Sequence, residues 1–156
     1  MIISLFNKVN TLLLPARNIP EGLSLLLARI AVAMVFWRSA QTKISGGDLL
    51  GQSWQFYNLN SSTTMLFEYE YGIPLIPAEI AAYMATFGEF FLSLFLIFGL
   101  FTRFSALGLL VMTSVIQFLV FPEAWPTHIL WAALLVYLLK EGAGKLSLDY
   151  LIGRKS

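Results

Sequence analysis

The chain has 156 residues, of which 58% are apolar and 12% charged, with a net charge of +1 and no cysteine. Its mean hydropathy of +0.74 lies outside the range of soluble domains and points to one membrane domain, 1–156. The same balance argues against a basic nucleic-acid-binding face, and the lack of cysteine excludes disulfides, thiol redox chemistry and cysteine-ligated metal centres within the chain.

Residues 1–20 read as an interfacial segment. Ile2, Leu5, Phe6, Val9, Leu12 and Leu13 recur at helical spacing, opposite Asn7, Lys8 and Asn10. Pro15 and Pro20 then break the chain before a first span over 22–41. That span carries Arg29 and Arg38, roughly 10 Å and 24 Å from its start. Nine residues at about 100° each set them on opposite sides of the helix. Arg38 is placed to snorkel to the nearby interface, whereas Arg29 requires a partner.

Residues 42–78 form a long loop. Gly46, Gly47, Gly51, the polar run 58–64, Pro74 and Pro77 argue against a further span there. Trp54, Phe56, Tyr57, Phe67, Tyr69 and Tyr71 are too many aromatics for a free linker. They predict short helical or extended pieces lying on the membrane surface as a cap. The second span, 80–100, has a single formal charge, Glu89, roughly 13 Å into a hydrocarbon core of about 30 Å. A carboxylate at that depth must be neutral, paired with a cation or turned toward a polar cavity.

The third span, 104–121, carries Thr113, Ser114 and Gln117, and Pro122 and Pro126 bracket the turn into a fourth span over 127–139. A basic, amphipathic tail, 140–156, follows. The expected fold is therefore all-α: an integral membrane four-helix bundle with a long extracytoplasmic loop between spans one and two. Lys8, Arg17, Arg103, Lys140, Lys145, Arg154 and Lys155 fall on the side of both termini. Lys43 is the one clear loop cation opposite, among Asp48, Glu68, Glu70, Glu79 and Glu123. The positive-inside rule then predicts both termini in the cytoplasm.

Two constellations stand out. Counted by helical rise, Arg29 and Glu89 lie close enough in depth for an extended arginine to bridge them. Such a buried pair either staples two helices or leaves Glu89 to exchange a proton or bind a polar group of a ligand. Nearer the outer face, Arg38, Tyr83, Gln117, His128 and Trp131 fall at similar depth, with Trp125 and Phe121 as candidate walls. They outline a pocket suited to a quinone headgroup, whose carbonyls accept hydrogen bonds and whose ring stacks on aromatics. The alternative is that the tryptophans form an interfacial belt and His128 bonds locally. The lone histidine, His128, leaves no protein-only histidine metal site to expect.

The ordered set of short motifs resembles the DoxX family of small four-helix bacterial membrane proteins. It comprises Leu27-Ala28-Arg29, Arg38 through Lys43, Pro74-Leu75-Ile76-Pro77, Glu89, Gly99 through Arg103, and Gly142 through Asp149. The family takes its name from a subunit of a membrane thiosulfate:quinone oxidoreductase. The resemblance implies a bacterial inner-membrane protein that serves as a small subunit or partner of a redox, quinone-linked system, with a protein partner and the lipid bilayer around it. The alternative reading is a non-catalytic scaffold or stress-response assembly protein whose buried charges are structural. Neither the motifs nor the composition assigns a reaction.

Overall fold

The computed structural model describes residues 2–153. Arg154 and Lys155, counted above with the basic side, lie outside them. The described residues build helices and loops with isolated β-bridges only. An amphipathic helix, α1 (Ile2–Leu13), buries none of its residues. A 3-10 turn over Leu14–Asn18, with Pro15 in its first turn, leads to Pro20, and extended backbone at Pro20 starts α2 (Glu21–Lys43). Proline suits that position because it donates no N–H and its φ is already near −60°.

Among the described residues, three helical stretches are long and apolar enough to cross a membrane: α2, α4 (Ala78–Phe98) and Thr102–Val120. The last of these consists of α5 (Thr102–Val115) and a π-helical turn, Ile116–Val120. The fourth long helix, α6 (Trp125–Glu141), has 17 residues, at the short end of what reaches across a hydrocarbon core. Helix α2 packs against α4 and α6, and α5 packs against α4 and α6. Their shared core is Leu25, Val32, Phe36, Leu96, Leu109, Leu135 and Leu138, drawn from all four. The outward faces are equally apolar: Leu27, Met84, Phe104, Val111, Phe118 and Leu130 are all exposed. A surface this greasy on every helix is what lipid contact requires.

The 42–78 loop contains short helical and bridged pieces. Helix α2 runs on through Lys43, so the loop begins two residues later than read. A bridge between Ile44 and Leu59 and a turn closed by Leu49 and Gln52 precede a short α3 (Ser61–Leu66), which continues as a π-helical turn, Phe67–Tyr71. Two of the aromatics lie against the helices: Phe56 contacts Phe87, Phe90 and Phe91, and Trp54 contacts Trp37 and Phe90, while Tyr57 and Tyr69 are exposed. Rings that can bury themselves on a neighbouring helix gain more than rings left at an interface.

The tail also folds back. Gly99, in the left-handed conformation at φ 65°, ends α4 with the Leu100 N–H donating to Phe95 O at 2.8 Å. Phe101, also left-handed at φ 48°, opens α5 immediately afterwards. A last short helix, α7 (Leu148–Leu151), returns to this corner with Ser147 accepting from the Tyr150 N–H.

Candidate functional site

Two buried charged centres occupy the two ends of the α2–α4 contact. At the loop end, the Lys43 ammonium donates to both Glu89 oxygens, at 2.7 and 3.0 Å. The Ser39 hydroxyl donates to Glu89 Oε1 at 2.9 Å and accepts from Lys43 at 2.7 Å. Both charged side chains are about 95% buried. Ser39 and Lys43 stand one turn apart on the same face of α2, which is why both reach one carboxylate.

At the tail end, Arg29 is fully buried and bonds to carbonyls rather than to Glu89. Its Nη1 donates to Leu96 O and Ile97 O at 3.1 and 3.4 Å, and its Nη2 donates to Leu146 O. The Arg29–Glu89 pair expected above is thus replaced by two separate centres. Antiparallel α2 and α4 place Arg29 level with Leu96 and Glu89 level with Ser39 and Lys43. Seven residues along α4 separate those levels by roughly 10 Å, beyond a guanidinium's reach. The two helices do not start from a common membrane plane: the end of α2 meets the middle of α4.

Beside the Lys43–Glu89 pair lies a cavity of about 180 Å³ whose lining includes Ser39, Lys43, Tyr71, Glu89, His128 and Trp131. Apolar side chains complete it, among them Phe36, Met112 and Phe121. Both π-helical turns contribute to its wall, through Phe67 and Tyr71 from one and Ile116 and Val120 from the other. Such turns displace side chains from the regular helical positions and recur at functional sites. The Tyr71 phenol is held above its ordinary pKa by burial and then by Glu89 and Glu70, so its proton stays on.

His128 is fixed from behind. The atom of Gln117 that sits 2.8 Å from Pro122 O faces a carbonyl, which only accepts, so it is the amide N–H. Gln117 Oε1 therefore faces His128 Nδ1, at 2.8 Å, and the ring's proton lies on Nδ1. That leaves Nε2 of the neutral ring with a lone pair, and it makes no hydrogen bond among the described residues. The imidazole rests on Trp131 at 4.8 Å between ring centroids, and Trp131 in turn meets Phe36 edge-on.

Of the five residues expected to outline a pocket, His128 and Trp131 line this cavity, and Gln117 holds His128. Arg38 and Tyr83 are exposed and contribute nothing to its wall. Arg38 follows from its position opposite Arg29 on α2. Tyr83 projects from the part of α4 that extends beyond the end of α2. Ser39, Lys43 and Tyr71 were not foreseen. The signal for the first two was the spacing Phe36, Ser39, Lys43, which continues the buried stripe of α2 past the expected helix end.

The sequence pattern of one family, DoxX, matches residues 24–122. The chain belongs to the DoxX family. It is also similar to an uncharacterised protein of Haemophilus influenzae, with 33% identity over 144 residues, 87% of each chain. No solved structure matches it. Ser39, Lys43, Tyr71, Glu89 and Gln117 fall inside the DoxX segment, whereas His128, Trp131 and the returning tail lie beyond it. The cavity is thus shared between the family's own segment and α6.

Proposed function

We propose that this DoxX protein is a four-helix, multi-pass protein of the bacterial inner membrane that works as a small subunit or partner of a membrane redox system, holding a quinone-type ring in the cavity beside Lys43 and Glu89. The observation that carries the reading is the cavity itself: an aromatic-walled space lined by a compensated ion pair, a protonated tyrosine and a histidine. Purely structural interiors in lipid seldom keep such groups beside open volume. When bound, a quinone-type ring would supply two-electron, two-proton chemistry. The chain's own part is to stack the ring on Trp131 and Phe121, to exclude lipid chains, and to present polar atoms at Tyr71, Glu89 and His128.

The topology proposed with it puts both termini in the cytoplasm, in keeping with the clustering of Lys8, Arg17, Arg103, Lys140 and Lys145 on one side. A second reading, a scaffold without a ligand, is favoured by one observation. The hydrogen bonds of Arg29 all go to backbone carbonyls and join α2 to α4 and the tail.

Extraction in mild detergent followed by mass spectrometry separates the two. Wild-type protein is expected to carry a hydrophobic ring compound of the quinone class, and Glu89→Ala and His128→Ala, checked for an intact fold, are expected to lose it. An empty wild-type protein would overturn the redox reading and favour the scaffold.

A further inference from the structure

The seam between α5 and α6 has a space on each side. Along α5 and its π-helical turn, Met112, Val115 and Ile116 line the cavity, whereas the residues beside them, Thr113, Ser114 and Gln117, line an open groove of about 320 Å³. On α6, Trp131 lines the cavity and its neighbour Ala132 lines the groove. His128 is the one residue common to both linings, and it is buried in the seam. The cavity and the groove thus back onto each other at this side chain.

The groove faces lipid and is dressed for hydrocarbon. Phe118, Trp125 and Ile129 give it an exposed apolar rim. The Thr113 and Ser114 hydroxyls donate to the carbonyls of Leu109 and Leu110, one turn back, at 2.7 and 2.9 Å. Gln117 directs its N–H at Pro122 O and its carbonyl at His128 Nδ1. Trp125, at the start of α6, stands where a membrane tryptophan turns its N–H to the headgroups.

Elsewhere the cavity is closed by ring packed on ring. Toward the loop, Tyr71 meets Phe121 at 5.6 Å and Phe67 at 4.8 Å between centroids. Toward α2, Trp131 meets Phe36, which belongs to the shared core. Opening either wall disturbs packed aromatics. His128 is held more lightly, by one hydrogen bond to Gln117 and by its contact with Trp131. Gln117 itself stands in the turn Ile116–Val120, where the α-helical bonding pattern has already given way.

We infer that the cavity is loaded sideways from the bilayer: a lipid-soluble ring compound enters through the α5–α6 seam as His128 swings aside, and its alkyl chain stays in the groove. This rests on the ring-binding reading above and adds to it the route and the place of the chain. A compound that partitions into lipid is already concentrated at the mouth of the groove, whereas a route through the loop would take it into water first.

The test uses the full-length protein in detergent, mixed with decyl-benzoquinone in a stopped-flow instrument and followed by saturable quenching of tryptophan emission. Ala132→Phe fills the groove from α6 and is expected to slow association about tenfold or more, as for binding that must wait on a rearrangement. It is expected to leave the affinity for a chain-free benzoquinone as in wild type, because the cavity is untouched. His128→Ala opens the seam and is expected to speed both association and release. Ser114→Leu, which narrows the groove from α5, takes over the first measurement should Ala132→Phe fail to fold or to keep that affinity. Unchanged association in a folded groove variant would overturn the sideways route while leaving the ring-binding reading in place. No saturable quenching of wild-type protein by either compound would overturn both.

Discussion

Glu89 and Lys43 illustrate how a charged residue survives in an apolar protein. Two unit charges within 2.7 Å largely cancel at a distance, and Ser39 takes up part of the remaining hydrogen-bonding capacity. Removing one partner is therefore worse than removing both. Lys43→Met alone is expected to lower stability by about 3–5 kcal/mol. The double variant Lys43→Met, Glu89→Leu is expected to recover most of that loss. Thermal unfolding in detergent measures both, and a single variant as stable as wild type would contradict the account. That Glu89 needed compensation was legible in the sequence, because one carboxylate stood alone in a span. Its partner was not, because Lys43 reads as a loop residue until the helix is seen to continue through it. Gln117 and His128 were legible as neighbours in depth. The orientation that makes Nε2 an acceptor needed Pro122 O, a backbone atom with no signature in sequence.

At the scale of elements, the corner between α4 and α5 shows the tail at work. Only three residues, Gly99, Leu100 and Phe101, separate the helices, and both Gly99 and Phe101 take left-handed backbone. Glycine does so freely; a Cβ at Gly99 would collide with the Arg29 guanidinium and with Ser147. Phe101 does so under strain. The Asp149 carboxylate fixes the corner by accepting from the Phe101 N–H at 2.9 Å and the Thr102 N–H at 3.0 Å. It serves as an N-terminal cap supplied from 47 residues away. Asp149→Ala is expected to cost about 1–2 kcal/mol and to free the tail. Limited proteolysis after residue 142 would then quicken, and an unchanged cleavage rate would count against the capping role. The sequence showed a short turn and a basic tail here. It could not show that the tail returns, since the contacts join positions far apart in the chain.

For the whole molecule, the all-helical character and three long apolar stretches followed from hydropathy and from the glycine and proline breaks between them. The observed boundaries differ by a few residues at each end, by up to two at α2, α4 and α6. The packing of Trp54 and Phe56 on α2 and α4 was not legible, because the loop aromatics have no periodicity that marks a partner helix. The proposed orientation is directly testable because the chain contains no cysteine. A cysteine introduced at Gly51, in the loop, is expected to react with a membrane-impermeant maleimide added to spheroplasts. One introduced at Leu151, exposed in α7, is expected to react only after the membrane is opened. Labelling of both from the same side would overturn the topology.

The closure of the tail onto Arg29 also sets an order of events during synthesis. Arg29 is made well before Leu146 and Asp149, which complete its surroundings and cap α5. Until they arrive, the nascent protein carries a buried cation short of one carbonyl and a strained corner without its cap. A polypeptide that stops short of them would keep both defects, leaving the tail-side corner open to proteases. The fold in this way distinguishes a finished copy from an interrupted one.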